Sequence, residues 1–422
     1  MNLTRRHLLS LLPGLALPVD GLAVPRSTAE PHRFLFVFCN GGWDTSYVFT
    51  PFEELGLDAP ADSTVAEASG IRFVDHAAQP SVRNFFEDFG SQACVINGIE
   101  VRSITHERCR RIILTGSSES GQDDWPALLA AHGDEELLCP HLVIGGPTFS
   151  SKYTRKVVRV GQSGQLTDLL DGSALTQSDL ATAIPPSKVE ALGDAYVRER
   201  ARALAQRGAR GRLKELGALY GSALDDATAL ALLSGDLDLE TSDQGCTNDL
   251  AGDAALVFDA FERGLSRCAI VQSEGWCSTS WDSHQGISRQ AEHYDLLFSE
   301  LSALMRDLAD RTTLGGTPLS EHVTVVVFSE MGRHPVLNSW GGKDHWTYTS
   351  AMLLGAGVSG GQVVGGLRTD ATGAAVDLGS GQVSDAGVDL LPGHLGATLM
   401  VLGGHDPGAL VPGYDPIVAA IR

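Results

Sequence analysis

Six short apolar runs constrain this chain more than any other feature: FLFVFC (34–39), ACVING (93–98), HLVIGG (141–146), CAIVQS (268–273), VTVVVFS (323–329) and AMLLGAG (351–357). None alternates apolar with polar residues, as a strand with one wet face does. Runs of this kind fit strands covered on both sides, the pattern of a central, mostly parallel sheet wrapped by helices. Helical patterns separate them. AEHYDLLFSELSALMRDLADRT (291–312) sets apolar residues at three- and four-residue steps with charges between. The connection LGGTPLSEH then leads into VTVVV, as a βαβ crossover would. The predicted class is α/β.

At 422 residues the chain is long enough for one large α/β domain with an insertion, or for two domains. The insertion is predicted at about 186–235, where alanine, leucine and arginine recur at helical spacing. Its basic cluster (Arg198, Arg200, Arg202, Arg207, Arg210, Arg212) reads as a solvated helix face. The glycine-rich stretch 355–383 reads as turns and short strands. Within it Gly355, Gly357 and Gly360 spell G-x-G-x-x-G, but no helical pattern follows, so a dinucleotide fingerprint is not supported.

The first residues, MNLTRRHLLSLLPGLALPVDGLAVP, place Arg5 and Arg6 ahead of an apolar stretch that ends in small residues near Ala23. That is the layout of a twin-arginine export signal. The apolar part is broken by Pro13 and Pro18 and is too short to span a bilayer. The expected organisation is a signal and linker over 1–30 and an α/β domain over 31–422. The mature protein is then periplasmic or extracellular, without a membrane span; retention of the signal as an anchor is the alternative. A net charge of −21, from 52 acids against 31 bases, argues against nucleic acid as a partner. Seven cysteines without a C-x-x-C pair give no support to a zinc ribbon or haem attachment. Cys39, Cys94 and Cys268 read as buried small hydrophobes, and one disulfide involving Cys246 or Cys277 suits an oxidising compartment.

Polar residues gather where apolar runs end, and in open α/β sheets sites form outside the carboxyl ends of strands. After FLFVFC come Asn40, two glycines and Asp44. After ACVING come Ser103, Thr105 and His106 at the start of a predicted helix, where a hydroxyl or a bound oxyanion is favoured. An N-cap threonine explains the same residues. After CAIVQS come Asp282 and His284, and after VTVVVFS come Glu330, Arg333, His334, Asp344 and His345. Oxygen and imidazole donors in this mixture suit a borderline divalent cation.

These segments carry a resemblance. Gly41-Gly42-Trp43-Asp44, Trp281-Asp282-Ser283-His284, and Ser329-Glu330-Met331-Gly332-Arg333 with Asn338 and Gly342-Lys343-Asp344-His345 resemble, in order, the bacterial family called domain of unknown function 1501. That family is similar to the alkaline phosphatase and sulfatase superfamily. The resemblance implies a doubly wound, mostly parallel sheet with helices on both faces, and a site for one or two divalent metals (zinc, manganese, calcium or magnesium). It implies metal ligands among Asp44, Asp282, His284, Glu330, Asp344 and His345, a hydroxyl nucleophile at Thr105 or Ser103, and catalytic roles for His106 and Arg333. The superfamily's Asp-His pair is Glu330-Met331 here, and a thioether cannot replace imidazole on a hard metal. No C-x-P-S-R sequence supports a formylglycine sulfatase.

Two functions are expected to compete. One is an exported metal-dependent hydrolase of phosphate or sulfate esters, acting on a small anionic ester, with the metal at Asp282, His284 and His345 and Arg333 on the substrate oxygens. The alternative is a non-catalytic protein that keeps the fold and binds a metal, an anion or a cell-envelope partner.

Overall fold

The computed structural model describes residues 30–51, 57–133, 137–159, 187–206 and 249–422. Pro31–Arg422 forms one compact unit. The export-signal expectation falls outside the described residues, as does the predicted insertion beyond 206. In chain order the principal elements are β1 (Arg33–Cys39), β2 (Thr64–Ala68), β3 (Ile71–Asp75), α1 (Pro80–Phe89), β4 (Ala93–Glu100), α2 (His106–Thr115), α3 (Trp125–Ala131), β5 (His141–Val143), β6 (Val157–Arg159) and α4 (Ser187–Gln206). They continue with α5 (Leu250–Glu262), β7 (Cys268–Ser273), α6 (Arg289–Asp310), β8 (Val323–Ser329), β9 (Gly332–Arg333), β10 (His345–Trp346), β11 (Tyr348–Gly355), β12 (Gln362–Gly365) and α7 (Pro392–Leu402).

Eight strands form one mixed, mostly parallel sheet in the order β12-β4-β11-β8-β1-β7-β5-β6. All six apolar runs are strands of it. β11 departs from the parallel expectation: it runs antiparallel to both β4 and β8. The connection from β8 carries the short β9–β10 hairpin and no crossover helix, so the chain turns straight back instead of re-entering parallel.

The absence of alternation in the runs has a plain cause. On β1, Leu35, Val37 and Cys39 point into one apolar cluster, with residues of α1, α5 and α6. Phe34, Phe36 and Phe38 point into a second, with residues of α2, α3 and α7. Every side chain of β1 is therefore buried. At about 25 cal/mol per Å² of apolar surface, this two-sided burial is the dominant stabilising term. Cys39, Cys94, Cys109, Cys139 and Cys268 are buried free thiols. Cys277 is disulfide-bonded, and Cys246 lies outside the described residues.

Candidate metal centre

β1, β7 and β8 end in step: Cys39 pairs with Ser273 on one side and Ser329 on the other. β4 ends at the same edge, since its Glu100 pairs with Tyr348 at the start of the reversed β11. The segments that follow β1, β4 and β7, and the stretch from β8 to β11, therefore meet at one rim. Gly41 explains how closely. It adopts φ +126°, and a Cβ there would stand 2.6 Å from the Asp282 nitrogen. Gly342 allows a similar approach, since a Cβ would lie 2.2 Å from the His284 carbonyl group. The glycines of these motifs let loops pack backbone to backbone.

Glu330 is fully buried beneath the rim. Its carboxylate accepts from the N–H groups of Gly41 (3.1 Å) and Gly42 (3.2 Å), and lies 2.8 Å from His106 Nδ1. Burial works against the anion, but the His106 bond and the backbone donors outweigh it and hold the carboxyl below its ordinary range.

Three histidines converge on Asp282. Each has Nδ1 against an oxygen that can only accept: the Glu330 carboxylate for His106 (2.8 Å), the Ile104 carbonyl for His345 (2.6 Å) and the Asp344 carboxylate for His284 (3.1 Å). Nδ1 must then carry the proton in all three neutral rings, which leaves three Nε2 lone pairs facing inward. His345 Nε2 and His284 Nε2 are 2.9 Å apart. Asp282 Oδ1 stands 3.6 Å from the first and 3.4 Å from the second. His106 Nε2 is 3.4 Å from Asp282 Oδ2, in ion-pair range, yet it is buried without a hydrogen-bond partner.

Lone pairs crowded in this way repel unless a proton or a cation lies among them. Ligand atoms of His106, Asp282 and His345 all fall within 4.8 Å of one another. Donors at about 2.1 Å around a tetrahedral ion stand about 3.4 Å apart, close to the spacings found. Histidines anchored through Nδ1 on carboxylates and carbonyls are the usual support of metal-binding imidazoles. The residues therefore fit a divalent ion of the zinc type. Without a cation, the Asp282 and Glu330 carboxylates push the His106 pKa up to about 9. Burial opposes the Asp282 charge, but His106, His345 and Arg333 keep its carboxyl well below the usual range.

Several expected site residues are placed differently from the expectation. Asp44 does not join the group: its Oδ2 pairs with Lys343 Nζ at 2.8 Å and its Oδ1 accepts from the Ser46 backbone and hydroxyl. The polar seat offered by Lys343 and Ser46 captures it. Arg333, expected on the substrate, has a side chain of zero exposure. It donates to the carbonyls of Gly41, Gly42 and Lys343 and to Asp282 Oδ1 at 2.7 Å, so it is spent on the protein itself. Thr105 is exposed at the head of α2, with its hydroxyl 3.4 Å from that of Ser103. Asp344 is 63% exposed and braces His284 together with Asn338. Gln290 was not anticipated. Fully buried, it accepts from the Asp44 nitrogen and donates to the Trp281 carbonyl and the Ser283 hydroxyl, tying the loop after β1 to the loop after β7. No local pattern marks it, because its neighbours are a turn and a helix start.

The chain matches a family model described as "Protein of unknown function (DUF1501)" over residues 31–391. No curated protein matches it. Solved structures that superpose on it include Ps i-CgsB, at 11% identity over 90% of this chain and 73% of that one (TM-score 0.42). Another is the PsFucS1 sulfatase from Pseudoalteromonas sp., at 10% identity over 93% and 74% (TM-score 0.39). A third is a 2-O GAG sulfatase, at 10% identity over 92% and 73% (TM-score 0.37). Likenesses at this level say nothing of the reaction, which has to be read from the side chains.

Proposed function

Because the chain belongs to the DUF1501 family, which is defined by sequence and not by a reaction, we propose from the site itself that it is a metal-dependent hydrolase of phosphate or sulfate esters. The observation that carries this is the convergence of His106, Asp282 and His345 with their Nε2 and carboxylate atoms turned inward. His106, Asp282 and His345 would hold a divalent ion, which would supply Lewis acidity toward an ester oxygen and would lower the pKa of a bound water. The chain's own residues do the rest. Glu330 and the Ile104 carbonyl fix the ligand tautomers, Arg333 aims the Asp282 carboxylate, and the rim leaves His284 half-exposed beside the ligands. The start of α2, which has no side-chain cap, lies next to ligand His106 and favours a negative group.

In this reading water is the nucleophile, not the Thr105 hydroxyl, since no general base is hydrogen-bonded to that hydroxyl, whose one side-chain neighbour in range is Ser103 at 3.4 Å. The purified chain, loaded with zinc or manganese, is to be assayed on aryl phosphates, phosphodiesters and aryl sulfates. His106→Ala and His345→Ala are expected to lower turnover at least a hundredfold, while Thr105→Ala stays within about threefold of wild type and accumulates no phospho- or sulfo-threonine. Full activity in His345→Ala would sink the proposal.

A saturated Arg333 favours a second reading, a non-catalytic metal- or anion-binding protein of the cell envelope. Stoichiometric metal without turnover across the ester panel would select it. Export rests on the Thr4-Arg5-Arg6 segment. Among the described residues no helix is long and apolar enough to cross a membrane.

A further inference from the structure

Resting on the hydrolase reading, we propose that Arg110 anchors the anionic end of the substrate, the role that sequence alone assigns to Arg333. Both arginines touch carboxylates of the centre, Arg333 at Asp282 (2.7 Å) and Arg110 at Glu330 (3.7 Å). They differ in what they have left to give. Arg333 is sealed from solvent and every one of its nitrogens donates within the protein. Arg110 is 31% exposed. It spends one of five N–H donors, Nη2 to Asn40 Oδ1 at 2.6 Å, and its Nε is buried without a hydrogen-bond partner.

Position and charge support the role. Arg110 lies four residues after His106 on α2, so both side chains share one face of that helix. Asn40 in turn donates from Nδ2 to Glu274 Oε2 at 3.1 Å, which fixes its amide with the oxygen toward Arg110. The guanidinium is thus held by Asn40 at Nη2 and faces Glu330 with Nε, and its Nη1 makes no hydrogen bond. Asp282, Glu330 and Asp344 surround the centre with negative charge that an anionic ester must overcome. A divalent ion offsets part of it, and Arg333 is already paired. Arg110 supplies the remaining positive charge, on a planar fork that matches two oxygens of a phosphate or sulfate group. The substrate class that follows is a monoester with an exposed tetrahedral oxyanion, in preference to an uncharged ester.

Calorimetric titration of the full chain, zinc-loaded and zinc-free, with inorganic phosphate and separately with inorganic sulfate tests this and shows which of the two the site prefers. Wild type is expected to bind at least one of them, Arg110→Gln about tenfold or more weaker, and Arg110→Lys in between, all three with the same zinc content. Kinetically, the loss in Arg110→Gln should appear mainly in KM for an anionic aryl ester. Unchanged anion affinity in Arg110→Gln, or no anion binding by wild type, would overturn the assignment. Arg110-dependent anion binding in a protein that takes up no zinc would leave the assignment standing and remove the hydrolase reading instead.

Discussion

Lys343 and Asp44 meet at 2.8 Å with their side chains 0% and 2% exposed. Lys343 also donates to the Ser46 hydroxyl at 2.8 Å. Removing one partner of such a pair strands the other in a medium that cannot solvate it, at a cost of about 3–5 kcal/mol. Lys343→Met should therefore lower the urea-unfolding free energy by about that amount, and adding Asp44→Asn should recover part of it, because the two residues share one interaction. An equal, additive loss in the double variant would contradict the pairing. The same residue shows where the sequence reading fails: an acid after a strand is visible, but not the lysine that claims it. At His106 the folded pKa of about 9 exceeds the ordinary 6.5. In metal-free protein its stabilising contribution is therefore complete below pH 6.5 and is lost as pH rises through 9. A metal must displace that proton, so apparent zinc affinity should climb with pH throughout the range below about 9 and level off above it. Zinc titrations at several pH values, repeated with His106→Asn, check the slope, which the variant should flatten.

Loops rather than strands carry the precision of the site, and glycine sets how near they come. A methyl group at Gly41 would strain a backbone at φ +126° and press on Ser280 Oγ at 2.5 Å and the Asp282 nitrogen at 2.6 Å. Gly41→Ala is expected to move the Asp282 loop and weaken zinc binding at least tenfold. Far-UV circular dichroism should stay near wild type, because the strands pair without that loop. Wild-type zinc affinity in a folded Gly41→Ala would refute the contact. The strands themselves were legible, since apolar runs without alternation have one explanation, burial on both faces. The direction of β11 was not. An apolar run looks the same read either way along a sheet, and only the length and content of the connection from β8 decide it. The loop glycines were visible too, but as turn formers; the backbone that each one faces is a tertiary fact.

Across the whole molecule, the three candidate ligands belong to chain segments that only the sheet unites: His106 opens the helix after β4, Asp282 follows β7 and His345 starts the strand paired with β9. Sequence could nominate acids and histidines at strand ends because that rim is where open sheets collect sites. It could not rank them. Thr105 and His106 are adjacent, yet one faces solvent and the other the group, which depends on the rotation of α2 against the sheet. A cation bound across these segments ties the β4, β7 and β10 regions together in the folded chain alone, so it must stabilise folding by mass action. At a hundred times its dissociation constant it contributes about 2.7 kcal/mol, which in a chain of this size is a rise in Tm of about 2 °C or more. The rise should appear on adding zinc to metal-free protein, reverse with a chelator, and be absent in Asp282→Ala. An equal rise in Asp282→Ala would mean that the cation binds elsewhere. A rise in wild type that survives Arg110→Gln but not His345→Ala would separate the residues that hold the ion from the one that waits for the anion.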